Sequence, residues 1–453
     1  MNRPMSSMVR IGKLTALVIA VLQFSACSVQ KQLQKAANKN IINANELTGA
    51  HIGIHVYDPA SNTNLFSYQA NKYFVPASNT KIVTCFAALK YLGDSVAAAQ
   101  ILATDSGMHV FATGDPTFLQ PEYASHPLLG VLKNANTIYL HTPSFTAKPF
   151  GQGWSWDDYD ASYMPSRSAF PMYGNVLRVV KNAGQLTVTP SFFKDSIKGL
   201  NTTINKGFGV SRQMANNQFL VQPASGSATL QEVPYRTSNW TNSSLTLEAS
   251  LLSEAVGGGI KVTAVDPATD KNAPVTATTI YSRPLDSLVT PLMHRSDNFY
   301  AEQALLMVGN KLHQSFDDKK TIAYLLANDL ADLPQKPSWV DGSGLSRYNL
   351  FTPQDFTTIL DKMYKAYSFE RLQHIFPTGG EVGGTLSSNY KNLNGKIFAK
   401  TGTLSGQVAL SGYLITKKGK TLIFSVLVNN HTTTASAVRK AVEQFIQVLY
   451  SKN

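Results

Sequence analysis

The chain has 453 residues, 43% of them hydrophobic and 15% charged, enough for two or three domains and a composition that excludes disorder, collagen and a coiled coil. Its formal net charge is +12, which suits an exported protein drawn to an anionic wall polymer or membrane surface. No basic run interleaved with aromatics and no zinc-finger spacing occurs, so nucleic acid is not an expected partner.

The N-terminus is patterned as a leader. Arg3, Arg10 and Lys13 form a basic flank, and Leu14 to Leu22 is an apolar run of nine residues. A membrane-spanning helix needs about 20, so residues 1–26 are expected to be a secretory signal peptide. Phe24-Ser25-Ala26-Cys27 resembles the lipobox of bacterial lipoproteins, which makes Cys27 the expected lipidation site and a membrane partner through that anchor. Ordinary cleavage after Ala26, or a chance cysteine, are the alternatives. The other cysteine, Cys85, lies in an apolar helical stretch and is expected to be a buried structural thiol. With Cys27 lipidated, no intramolecular disulfide can form.

Residues 27–48 are polar and suit a tether or short surface helix. The body starts near His51. Ile52, Ile54 and Val56 alternate as in a strand, Asp58 to Asn62 is a turn cluster, and Leu65, Phe66 and Tyr68 suggest the return strand. A helix is expected from about Thr80 to Leu92, with Ile82, Phe86 and Leu89 on one face and Gly93 ending it. From 95 to 285 short apolar stretches alternate with Asn, Gly, Pro and Ser clusters, a β-rich texture that reads as one or two inserted domains. Residues 290–375 look helical. Ile397 leads a strand into Lys400, Val408 to Ile415 and Leu422 to Val428 read as strands around a turn, and Val438, Ala441, Val442, Phe445, Ile446 and Leu449 mark a C-terminal helix. The two chain ends therefore look like one α/β domain, with a sheet drawing two strands from the start and at least three from the end.

Three short motifs carry chemistry. In Ser78-Asn79-Thr80-Lys81 the serine and lysine are three apart, so on a helix they share a side. Ser78 at a helix start has an N–H free to face an oxyanion, and Lys81 can take the serine's proton if burial, and a second cation such as Lys400, lower its pKa. Ser296-Asp297-Asn298 offers a hydroxyl to relay a proton and an amide to hold a substrate carbonyl and the lysine; a plain helix cap is the ordinary use of such residues. In Lys400-Thr401-Gly402-Thr403 the ammonium and the hydroxyls of Thr401 and Thr403 can bind a carboxylate, Gly402 admits a ligand close to the strand, and the Thr403 N–H can complete an oxyanion hole. Singly these patterns are weak: Ser28 to Lys31, Ser388 to Lys391 and Ser387 to Asn389 match too. The nine histidines form no metal pattern, so no metal is expected.

Together the motifs resemble the Ser-x-x-Lys, Ser-x-Asn, Lys-Thr-Gly signature of penicillin-binding proteins and serine β-lactamases. Val75 to Lys81, Gly114-Asp115-Pro116, Gly153 to Asp158, Asp341 to Arg347 and Gly383 to Leu386 are similar to the D-Ala-D-Ala carboxypeptidase/endopeptidase family of the penicillin-binding protein 4 type. The resemblance covers residues 50 to 450. It implies a β-lactamase/transpeptidase-like domain, an antiparallel sheet flanked by helices, built from 49–94 plus 286–453, with β-rich inserted domains over 95–285. The 218 positions from Ser78 to Ser296 (296 minus 78) accord with that insertion.

The resemblance also implies a function. The expected activity is a serine-type D-Ala-D-Ala carboxypeptidase or D,D-endopeptidase working through an acyl-serine, with Ser78, Lys81, Ser296, Asn298 and Lys400 catalytic and no cofactor. Its partners would be peptidoglycan stem peptides and β-lactam inhibitors. Asp158 and Arg347 stand where the family contacts the amine and carboxylate of a diaminopimelate side chain, with Asp157 the competing neighbour. The location implied is the periplasm, and Ser28 after Cys27 leans toward the outer membrane. A β-lactamase or esterase on the same fold is disfavoured by the long insertion and the Trp-rich segment. A catalytically silent wall-binding lipoprotein is disfavoured by three intact motifs.

Overall fold

The computed structural model describes residues 30–141, 144–199, 207–240, 245–265 and 276–452. The expected leader and Cys27 lie outside the described residues. By contacts the chain divides into two compact units, residues 1–76 with 351–453, and residues 77–350.

The first unit is built on a five-stranded antiparallel sheet in the order Ile397–Leu404, Gln407–Ile415, Thr421–Asn429, His51–Asp58, Thr63–Tyr68. The start of the chain thus pairs directly with its end, Ile54 opposite Val426. Strand alternation then sorts side chains to two faces. On one, Ile52, Ile54, Val56, Phe424 and Val426 share a core with Val438, Val442, Phe445, Ile446 and Leu449 of the helix Ala435–Lys452. On the other lies the helix Pro353–Ala366, started by a reciprocal Thr352–Asp355 capping box with proline in its first turn. There Tyr413 donates its hydroxyl to Leu360 O at 2.8 Å, and His55 bonds Thr357 Oγ1 at 2.6 Å. Covered on both faces, the two central strands are buried at nearly every position.

Residues 30–37 are helical and run into a π turn at Asn38–Ile42. Leu33, Ala36, Ala37, Ile41 and Leu47 are buried in the same core as the C-terminal helix. Of the two expected forms, a tether or a short surface helix, this stretch takes the helix, and it is docked because its few apolar residues fall on one side while Lys31, Lys35 and Lys39 stay exposed.

The second unit carries the β-rich segment. A mixed five-stranded sheet runs in the order Lys261–Ala264, Thr137–His141, Gly107–Ala112, Ser95–Thr104, Thr278–Pro284, and two three-stranded sheets accompany it. The helices Thr80–Tyr91, Asp286–His294 and Asn298–His313 pack on one another in this unit. The expected boundaries at 94/95 and 285/286 do not coincide with the contact division, since these helices join the intervening segment. The helix Thr80–Tyr91 is also buried all round, from Thr80 through Leu89, where one apolar face had been expected. Cys85 is a buried thiol within it. Between the helices Asp318–Asn328 and Pro353–Ala366 the expected helical texture gives way to an irregular segment, buried at 341–344 and closed by paired bonds between Ser338 and Leu350.

Candidate active site

Ser78 lies in a 3₁₀ turn, Ala77–Asn79, that leads into the helix Thr80–Tyr91. The turn is tightly held. Ala77 sits at φ +49°, a left-handed conformation costing a non-glycine residue about 1–2 kcal/mol. Its carbonyl accepts from Thr80 Oγ1 at 3.0 Å. Gly344 presses against that carbonyl, and a Cβ there would stand 2.0 Å from Ala77 O. Only glycine permits this approach. Ser78 remains half-buried while the residues around it are buried.

One turn on, Lys81 is fully buried. Its ammonium has three N–H donors and three acceptors: Ser78 Oγ at 3.1 Å, Asn298 Oδ1 at 2.6 Å and Ser343 O at 2.7 Å. Burial pushes its pKa down to about 8, against the opposing pull of Asp341, Glu302 and Asp297. On losing a proton, the amine keeps two donors for the amide and carbonyl and turns its lone pair toward the Ser78 hydroxyl.

The second motif assembles on the helix Asn298–His313. The cap of that helix is Asp297, whose Oδ1 accepts from Tyr300 N at 3.0 Å. Capping is therefore done by the middle residue. The Asn298 amide is left to bridge Lys81 and Tyr163, to whose carbonyl it donates at 2.9 Å. Ser296 sits at φ +60°, so the hydroxyls of the first two motifs both belong to strained turns, Ser296 by its own backbone and Ser78 through its neighbour.

The loop 338–350 supplies what the motifs do not reveal. Asp341, fully buried, accepts from Gly344 N (2.8 Å), Ser346 N (2.7 Å), Asn349 Nδ2 (2.7 Å) and Trp154 Nε1 (2.9 Å). Ser343 N donates to Glu302 Oε1 at 2.7 Å, while its carbonyl accepts from Lys81 Nζ. Burial, with Asp341 adding to it, pushes the Glu302 carboxyl up to about 7. Arg167 ties Glu302 to Asp318, at 3.3 and 2.7 Å, and donates to the carbonyls of Lys148 and Phe150. Nothing in a motif names the Ser343 carbonyl, since every residue has one. Glu302, four residues after Asn298 on one helix face, was open to detection by spacing.

The expected recognition pair lies on neighbouring loops of this unit. Gly153 packs so close to Tyr348 and Ser346 that a Cβ would meet them at 2.8–3.0 Å, and Trp154 bonds Asp341. Asp158 is half-buried in the 3₁₀ turn Trp156–Asp158. Burial and a bond to Asp158 push the Tyr163 hydroxyl up to about 12, and the Tyr163 backbone holds Asn298. Asp157 instead accepts from Ser155 Oγ at 2.9 Å. Arg347 is exposed beside Tyr348.

The third motif belongs to the other unit, on the strand Ile397–Leu404. Lys400 is buried and donates to Thr401 O at 2.7 Å. Thr401 is half-buried and Gly402 buried. Thr403 is exposed, and its Oγ1 accepts from Arg439 at 2.9 Å. Among the described residues, no group of three or more His, Cys, Asp or Glu side chains could hold a metal ion, and no helix is long and apolar enough to cross a membrane.

Residues 33–449 match the model of the D-Ala-D-Ala carboxypeptidase 3 (S13) family. The chain is 27% identical over 444 residues to a D-alanyl-D-alanine carboxypeptidase of Actinomadura sp. (strain R39), covering 87% of this chain and 81% of that one. It is 24% identical over 492 residues to the D-alanyl-D-alanine carboxypeptidase DacB of Haemophilus influenzae, covering 97% and 99%. The crystal structure of penicillin binding protein 4 from Haemophilus influenzae shares the fold, with a TM-score of 0.69 at 19% identity over 92% of this chain and 99% of that one.

Proposed function

The chain belongs to the D-Ala-D-Ala carboxypeptidase 3 (S13) family, and from that premise we propose how its own residues carry the reaction. It is a penicillin-binding serine peptidase of the D-Ala-D-Ala carboxypeptidase/endopeptidase class, acting on peptidoglycan. Ser78 is the nucleophile. The observation that carries this assignment is the Lys81 ammonium, buried and shared among Ser78, Asn298 and Ser343.

With a pKa of about 8, Lys81 is neutral in about a tenth of molecules at pH 7. In that fraction it accepts the Ser78 proton as Oγ attacks the carbonyl of the penultimate D-alanine. The Ser78 N–H at the helix start faces the oxyanion. Ser296 passes the proton from Lys81 to the departing amine, and D-alanine or a cross-linked D-amino acid centre leaves. Water then attacks the acyl-serine, and the proton it loses restores Ser78. Asn298 positions Lys81 and the substrate's peptide carbonyl. Lys400 supplies positive charge for the terminal carboxylate, and Thr401 and Thr403 supply hydroxyls and the second oxyanion N–H along the strand.

Asp158 and Arg347 hold the amine and carboxylate of a zwitterionic substrate side chain. The tie from Asp158 through Tyr163 to Asn298 favours Asp158 over Asp157 for this role. Family membership implies work outside the cytoplasm. Within that we propose a periplasmic enzyme, exported by residues 1–26 and anchored by lipid on Cys27, with the outer membrane as its site. The exposed Lys31, Lys35 and Lys39 just downstream suit an anionic membrane surface.

The test is Ser78→Ala. This variant is expected to take up no labelled penicillin and release no D-alanine from muropeptides. Retained labelling would place the nucleophile elsewhere.

A further inference from the structure

A polar cleft of about 350 Å³ opens from the second motif, with Ser296 and Asn298 at one side and Gln120, Tyr163, Arg178 and Glu232 among its other walls. Its position has a chemical meaning. Ser296 is the group that hands a proton to the departing amine, so a leaving group that continues beyond that amine has this cleft within reach. A single D-alanine is far smaller than this space.

Two ion pairs line the cleft, and they differ in how completely they are used. Glu122 is spent: both its oxygens accept from Arg295, and Oε1 also accepts from the Tyr300 hydroxyl at 2.8 Å. Arg178 and Glu232 stand opposite each other on the paired strands Val176–Asn182 and Leu230–Pro234. Both Arg178 bonds, from Nε at 2.8 Å and from Nη2, go to the single oxygen Glu232 Oε1. Among the described residues, Arg178 Nη1 and Glu232 Oε2 have no protein partner, and both side chains are part-exposed. The pair therefore presents one charged donor and one charged acceptor at the cleft wall, fixed by a sheet.

We propose that this cleft holds the leaving strand of a cross-linked substrate, a second stem peptide. Arg178 donates to one of its carboxylates, and Glu232 accepts from an N–H of its backbone or amine. The inference rests on the serine-peptidase assignment above. It makes the Arg178–Glu232 pair a determinant of endopeptidase action, with no part in releasing a terminal D-alanine.

The experiment compares wild type, Arg178→Ala and Glu232→Gln on a purified cross-linked muropeptide dimer, an uncross-linked pentapeptide monomer and labelled penicillin. Both variants are expected to lose about tenfold in kcat/KM on the dimer. D-Alanine release and penicillin labelling should stay within about twofold. Arg178→Lys should recover part of the loss, since it keeps the charge and forfeits the fork. Equal losses on dimer and monomer would mark the pair as structural and overturn the inference, and so would no loss on either. A wild-type enzyme that labels and releases D-alanine but leaves the dimer whole would sink this inference alone. A wild type that neither labels nor releases D-alanine would instead refute the catalytic assignment beneath it.

Discussion

Lys81 and Lys400 are both fully buried, the one in the first turn of a helix and the other within a strand. Lys81 draws its acceptors from segments around residues 78, 298 and 343, whereas the bond from Lys400 to Thr401 O stays within one strand. The first arrangement sets a protonation state. Burial pulls the Lys81 pKa down and three carboxylates pull it back up, leaving it near the pH at which a base is useful. The second arrangement sets a position. The strand of Lys400 pairs residue by residue with Gln407–Ile415, so its charge and the neighbouring hydroxyls are held by a ladder. Changes around Lys81 should therefore act on rate and pH dependence, and changes at Lys400 on binding.

The largest effect expected is that of Lys81→Met, which keeps the volume and removes the proposed base. Acylation by penicillin should slow by about 10²- to 10⁴-fold. The same variant exposes a stability cost. The folded value of about 8 lies below the ordinary 10.5, so in that window the unfolded chain binds more protons and wild-type stability rises with pH. The rise amounts to about 3 kcal/mol between the two limits. Denaturant midpoints measured at pH 7.5 and pH 10 should show this slope in wild type and a shallower one in Lys81→Met. Identical slopes would mean that Lys81 is not titrating in the fold as described.

Lys400→Ala should act more weakly and on a different parameter. Losing one charged contact to a carboxylate costs about 1.5–3 kcal/mol, so KM for D-alanine-terminated peptides should rise at least tenfold, with a smaller change in kcat. An equal fall in kcat would merge the two lysines into one role and erase the distinction between them.

How much of this was legible beforehand differs along the chain for physical reasons. The sheet unit was readable because its periodicities are simple. Ile52, Ile54 and Val56 alternate, Val438 to Leu449 recur at helical spacing, and all are buried as those periods require. The stretch before His51 left both a tether and a short helix open, because Leu33, Ala36, Ala37 and Ile41 are diluted among lysine, glutamine and asparagine. Helix Thr80–Tyr91 is buried on every side, and a period reports only one face. The first two motifs single out Ser78, Lys81, Ser296 and Asn298, and the structure brings Ser78, Lys81 and Asn298 into one hydrogen-bonded group. The shell that tunes Lys81 stayed hidden. A backbone carbonyl at Ser343 leaves no mark in sequence, and Asp341, singled out only within the Asp341 to Arg347 resemblance, is held by three donors of its own loop and by the distant Trp154.

The smallest effect, and the one that separates the two lysines most sharply, belongs to Glu302→Gln. Glutamine can still accept from Ser343 N through its amide oxygen, and Arg167 keeps Asp318, so the loop that presents Ser343 O to Lys81 is preserved. What is lost is a negative charge that raises the Lys81 pKa. The sign follows directly. With one fewer carboxylate favouring the ammonium, Lys81 gives up its proton at lower pH, and the acid limb of kcat/KM moves below about pH 8. In wild type Glu302 is itself held up to about 7, so below that pH it protonates and ceases to favour the ammonium. The two enzymes should therefore differ most above pH 7 and converge beneath it. Lys400→Ala, measured beside it, should leave the limb where it stands while raising KM. A limb unmoved in Glu302→Gln would show that the titration governing the rate is not that of Lys81, and the base would have to be sought elsewhere.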